Sequence, residues 1–354
     1  MAPPPAPALD TLTLAAAGTT VEIVPALGGK IARLHLAGRD WLWTSDVLER
    51  RAPEPSLADD DAASYVERAD TGGYDECLPT VGACRVPDAV AGFGGVTLPD
   101  HGELWSQEGA TERVRGADGA PSALTRWSGR RLPYAFTRTV TVTDDGAVRM
   151  EYALTSTGDA PLPFLWSAHP LLPLTPDTRL ELPVAARVRV WAQHGIDLGG
   201  PGAEHRWPMV RVRSAPGGHD AERVRAMTDR FGPPELDLTR PARLGDGAAC
   251  KLFLDLPRPT AGKLRLAVEQ GAARLEVAVD AGEVPHLGLW INAGGWTPFA
   301  GARPYRNLAF EPCIGAGDTL DAALGAWRSA AWLAPGATRR WTLVWRGRRR
   351  PVGD

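Results

Sequence analysis

Two stretches of this chain hold chemistry-capable side chains inside stiff, apolar segments. Trp166-Ser167-Ala168-His169-Pro170-Leu171-Leu172-Pro173 places one imidazole before a proline. Leu308-Ala309-Phe310-Glu311-Pro312-Cys313-Ile314-Gly315 repeats the device with a carboxylate. A residue before proline is pushed out of the helical region towards extended backbone. His169 and Glu311 are therefore expected on extended chain, His169 at the end or on the edge of a strand. A poorly solvated proton donor and acceptor, both fixed in place, are what acid–base catalysis without a metal requires.

Two further stretches carry polar groups in unusual company. Gly72-Gly73-Tyr74-Asp75-Glu76-Cys77-Leu78-Pro79 sets adjacent acids between glycine, an aromatic and proline, and reads as a solvated turn or a site wall. In Leu98-Pro99-Asp100-His101-Gly102-Glu103, the His-Gly pair lets the backbone turn sharply and aims the His101 imidazole away from it. Thirteen tryptophans supply aromatic surface. Most belong to a core, but Trp105, Trp166, Trp290 and Trp296 fall within or beside these stretches. Leu287 to Trp296 is an apolar strand ending in Asn292 and two glycines, which suits a pocket wall.

Other chemistries lack their signatures. There is no phosphate-binding loop, and Gly92-Phe93-Gly94-Gly95 opens no helix. No nucleophile elbow appears, and the seven histidines make no metal-ligand grouping. No metal and no cofactor are expected. A net charge of -3 argues against nucleic acid or a strongly attracted membrane surface. The four cysteines, Cys77, Cys84, Cys250 and Cys313, lack C-x-x-C spacing and are expected as reduced thiols. The N-terminus has the pattern of no signal peptide, and every apolar run is too short to span a bilayer, so a cytoplasmic location is expected.

What must position these groups is a set of short strands. Period-two alternation recurs at Val21–Val24, Lys30–Leu36, Trp41–Trp43, Thr137–Thr143, Val148–Leu154 and Val184–Val190. It returns at Lys251–Asp255, Leu264–Val268, Leu275–Val279 and Trp341–Trp345. Gly28-Gly29 and Asp144-Asp145-Gly146 mark turns between them. Lys30, at a strand start, reads as a solvated end. Helical periodicity is confined to Ala221–Ala226 and Leu320–Trp327. With 39 Gly and 32 Pro among many short strands in 354 residues, the class is all-β, a large antiparallel sandwich. We expect a disordered lead-in over 1–9, one domain over 10–346 and a solvated basic tail over 347–354.

The ordered set of motifs resembles the aldose 1-epimerase (galactose mutarotase) family, most closely its broad bacterial branch. They are Gly72–Thr80, Asp100-His101-Gly102-Glu103, Ser167-Ala168-His169-Pro170, Leu289-Trp290-Ile291-Asn292 and Asn307–Gly315, in family order from about Leu12 to Trp345. The resemblance implies a supersandwich with a groove on one sheet, no cofactor and a monosaccharide substrate. It implies that Glu311 takes the proton of the anomeric hydroxyl, His169 protonates the ring oxygen and His101 assists. Asp75, Glu76, Arg85, Trp166, Trp290 and Asn292 are then expected to contact sugar. Two departures concern the sugar-binding residues. Val81-Gly82 is followed by Ala83 where the family carries Arg, so that Arg85 is the nearest substitute, and for the family's sugar-binding Asp only Asp255 offers itself.

A His near its ordinary pKa and a Glu made more basic by apolar surroundings would open and reclose the ring. The resulting expectation is an isomerase that interconverts α and β anomers, as a monomer or homodimer. The alternatives are a carbohydrate-binding protein without catalysis and a hexose-phosphate 1-epimerase.

Overall fold

The computed structural model describes residues 9–53, 60, 63–116, 118–213 and 234–349. The helix expected over Ala221–Ala226, the lead-in to residue 8 and the chain beyond 349 lie outside the described residues. The chain builds two large antiparallel sheets. The first has 13 strands. Its central run, in spatial order, is Lys30–Leu36, Tyr74–Cys77, Trp166–Pro173, Arg306–Ile314, His286–Ala293, Ala248–Asp255 and Arg187–His194. The second has eight strands, with Thr338–Arg349, Val148–Ser156 and Tyr134–Val142 at its centre. Among the described residues no helix is long and apolar enough to cross a membrane.

Alternation along each central strand decides what faces what. Trp166, Ala168 and Leu172 join the core, as do Leu308, Phe310 and Ile314, and Cys250, Leu252 and Leu254. The intervening residues Ser167, His169, Glu311 and Lys251 therefore share the opposite face of the large sheet. His169 and Glu311 sit well inside central strands, not at a strand end or on an edge as expected for His169. Each is followed by a proline that lacks an N–H, and the ladder between their strands is interrupted there. Ser167 pairs with Cys313 and Leu171 with Ala309, so the same register sets His169 opposite Glu311.

Several local expectations need correction. Trp41–Trp43 is not a strand: the short pairing to Lys30–Leu36 is made by Arg39–Asp40. The alternation from Val184 becomes strand only at Arg187. The helix near the C-terminus covers Leu320–Leu324. The basic run is not a free tail as far as Arg349, because the last strand continues through it and pairs Arg346 with Glu276 and Arg348 with Arg274. Gly347 makes this possible, since a Cβ there would lie 2.6 Å from that of Leu36. All four cysteines are unpaired.

Glu76, expected at a sugar, points between the sheets instead. It neighbours Asp75 on one strand, and adjacent residues of a strand face opposite ways. Its carboxylate accepts from Arg138 (3.1 Å), Tyr152 (3.0 Å) and the Trp166 indole (2.9 Å), all buried. Trp166 is thus a core residue and no sugar platform. Burial pushes Glu76 up to about 7, with Arg138 opposing. A carboxyl whose folded pKa is raised binds more protons folded than unfolded, so its stability contribution falls as pH rises. The window runs from the ordinary 4.5 to about 7. Wild-type unfolding free energy in urea should therefore decline through it by on the order of 3 kcal/mol more than that of Glu76→Gln. Arg138→Met should destabilise at neutral pH by roughly 3–5 kcal/mol by orphaning the buried acid.

Candidate functional site

The face opposite the core carries a cavity of about 230 Å3. Glu311, His169 and Lys251 form its sheet-borne floor. His101, Asp70 and Asp318 come from loops, and Trp290, Trp296 and Tyr305 form an aromatic wall. His169 Nε2 lies 3.8 Å from Glu311 Oε1. The residues expected as acid and base therefore share one cavity, although they are direct neighbours and do not flank it.

Glu311 is fully buried, and its surroundings are ionic, contrary to the apolar environment expected. The Lys251 ammonium donates to both carboxylate oxygens, at 2.7 and 2.6 Å, and the Ser167 hydroxyl donates at 3.3 Å. Gly288 leaves room for the Glu311 side chain at this point. It pairs with Glu311 on one side and Phe253 on the other, and a Cβ there would fall 2.7 Å from Glu311 Oε2. Asp318 Oδ1 stands 3.4 Å from the same ammonium.

His101 and Gly102 both adopt left-handed backbone, at φ 58 and 70, and so make the tight turn read from the sequence. Asp100 receives the ring's Nδ1 at 2.8 Å, while its other oxygen accepts from the Tyr65 backbone N–H at 3.0 Å. Tyr65 stacks on the His101 ring at 4.1 Å between centroids. The two imidazoles meet edge to face at 5.0 Å. Burial opposes charge on His101, but the Asp100 carboxylate outweighs it and holds the ring above its ordinary pKa. His169 goes the other way: burial, then the positive charges of His101, Lys251 and Lys30, push it well below. The expectation of a His169 near its ordinary pKa is thus corrected. His169 is driven towards the neutral imidazole, and His101 towards the protonated one.

The expected sugar contacts divide. Trp290 lines the cavity and donates its indole N–H to Asn307 at 3.2 Å. Asp75 shares the cavity's side of the sheet but is taken up by Lys30 and by the Tyr65 hydroxyl, the latter at 2.6 Å, so it braces the tyrosine under His101. Lys30 is correspondingly buried and not a solvated end. Asn292 is buried and folds the next turn, accepting from the Gly294, Gly295 and Trp296 N–H groups, which sets Trp296 on the wall. Arg85 lies on a two-residue strand outside the cavity, where it pairs with Asp88 at 2.8 Å. Asp255 is held by Arg187 and His286, also outside. Sequence reasoning missed Lys251, Asp70 and Asp318. For Lys251 a signal existed: only three lysines occur among 39 basic residues, and this one interrupts an apolar strand.

The large antiparallel sandwich is a fold shared with solved galactose mutarotase-like proteins. No family model matches the chain. No curated protein matches it either. Solved structures do. A galactose mutarotase-like protein from Clostridium acetobutylicum superposes with a TM-score of 0.61 at 10% identity, covering 97% of this chain and 96% of that one. The galactose mutarotase related enzyme from Lactobacillus acidophilus gives 0.57 at 12% identity, over 96% and 97%. A candidate aldose 1-epimerase of Escherichia coli K12 gives 0.57 at 16%, over 97% and 100%.

Removing Lys251 leaves Glu311 as a buried charge without its main partner. Lys251→Met should lower stability by about 3–5 kcal/mol, and adding Glu311→Gln should recover much of it. Urea unfolding of the two single variants and the double variant reads the coupling. Additive losses would show that the pair does not interact.

Proposed function

We propose that the protein is an aldose 1-epimerase, interconverting the α and β anomers of a free sugar. The observation that carries this reading is a buried carboxylate and two imidazoles lining one aromatic-walled cavity. Glu311 accepts the proton of the C1 hydroxyl as the bond from C1 to the ring oxygen breaks. His101, kept protonated by Asp100, supplies the proton that the ring oxygen gains. His169, whose pKa is pushed well down, lines the same cavity beside Glu311 and offers the ring oxygen a further hydrogen bond. Rotation about C1–C2 and reversal of both transfers recloses the ring on the other face. Trp290 and Trp296 present indole surface to the C–H face of a pyranose. Each acid–base group typically contributes about 10²–10⁴-fold, ample for a reaction that proceeds unaided in water.

No arginine lines the cavity among the described residues, which favours an unphosphorylated sugar over a hexose phosphate. Polarimetry on fresh α-glucose and α-galactose tests the reaction. Glu311→Gln should lower kcat by roughly 10²–10⁴-fold with the fold retained. Calorimetric sugar binding with anomer exchange at the water rate would instead make this a binding protein.

The proton on His101 sets the alkaline limb of the rate profile. That limb should lie above the ordinary imidazole value of 6.5 and move to lower pH in Asp100→Asn, because the stabilising anion is gone. A limb unmoved by that change would remove His101 from the role. Gly288→Ala should lower kcat more than it raises KM, since its methyl displaces a carboxylate that Lys251 pins.

A further inference from the structure

The charges lining the cavity do not balance. Among the described residues four carboxylates line it, Asp70, Asp100, Glu311 and Asp318, against the cations Lys251 and His101. His101 is matched by Asp100, and both short bonds of Lys251 go to Glu311. Asp318 stands 3.4 Å from that same ammonium, which leaves Asp70 over. Asp70 is only 6% exposed, and its Oδ1 has no hydrogen-bond partner. Asp318 Oδ1 makes no hydrogen bond beyond that ionic contact. Lys30, a possible counter-ion for Asp70, is engaged by Asp75. Burial pushes Asp70 up to about 6 against the opposing charges of Lys30 and His101, and burial raises Asp318 against that of Lys251. A hydroxyl could fill the empty acceptor on Asp70, but it would leave the buried charge uncompensated. Buried charges are normally paired.

We infer that the cavity selects an aldose bearing a protonated amino group, whose ammonium is received by Asp70 and favoured by the nearby charge of Asp318. The inference rests on reading this cavity as a sugar site. The same surplus repels phosphorylated and carboxylated sugars. An ammonium donates up to three hydrogen bonds and carries the missing charge, so it satisfies Asp70 in both respects.

Equilibrium binding to the full chain tests this independently of turnover. Calorimetry would compare glucosamine, galactosamine and 6-amino-6-deoxyglucose with glucose, N-acetylglucosamine and glucose 6-phosphate. At least one amino sugar should bind roughly tenfold or more tightly than glucose and its acetylated form, with the phosphate weakest. Asp70→Asn should bring the ratio of amine to glucose towards one. The comparison on the unaltered protein decides the question even if that variant does not fold. No preference for any amine, or no binding of any sugar in the panel, overturns the inference. Tight amine binding with anomer exchange at the water rate supports the inference and removes the proposed reaction instead. Exchange of neutral sugars without an amine preference does the reverse.

Discussion

The site depends on one antiparallel register. Ser167 opposite Cys313 and Leu171 opposite Ala309 force His169 and Glu311 to face each other across neighbouring strands. Directly opposed side chains in such a pair have Cβ atoms about 4.5–5.5 Å apart. Their contact is thus a property of the backbone and not of flexible loops. A slip of one residue would send both into the core, and two prolines leave the ladder without N–H groups at that very point. Flanking pairs must hold the register, and the large apolar residues Trp166, Phe310 and Ile314 do so from the other face.

The chain handles its buried charges in pairs along the same sheet. Lys30 with Asp75, Lys251 with Glu311 and Arg138 with Glu76 are each nearly or wholly hidden from solvent. Breaking such a pair is far more damaging than never having built it. The first braces the tyrosine beneath His101, the second fixes the carboxylate in the cavity, and the third ties the two sheets together. Burial and the positive charge around His169 push its pKa down while the carboxylate beside His101 pushes that one up, so two imidazoles 5.0 Å apart shift in opposite directions.

The all-β class and the trio of His101, His169 and Glu311 were legible because each trio member carries a local backbone constraint, a following proline or a following glycine. Asp75 and Glu76 misled because a turn and a short strand read alike in that glycine-rich stretch, and in a strand the two acids part company. Asn292 misled for a related reason: an amide before Gly-Gly looks the same whether it binds a ligand or folds its own turn. Arg85 was chosen for its nearness to Val81-Gly82, and a short hairpin carries it away from the cavity. Asp70 and Asp318 sit in loops with no periodicity. Only the folded chain brings them to the pocket, so no sequence pattern could mark them.

Gly288 links these themes through something it lacks. An empty position in the middle of a packed sheet is the space that the Glu311 carboxylate occupies, and one nucleotide change that yields alanine closes it. Drift at this one residue therefore displaces a buried carboxylate without altering any strand's hydrophobic pattern. The geometry of the cavity thus hangs on the absence of a single methyl group.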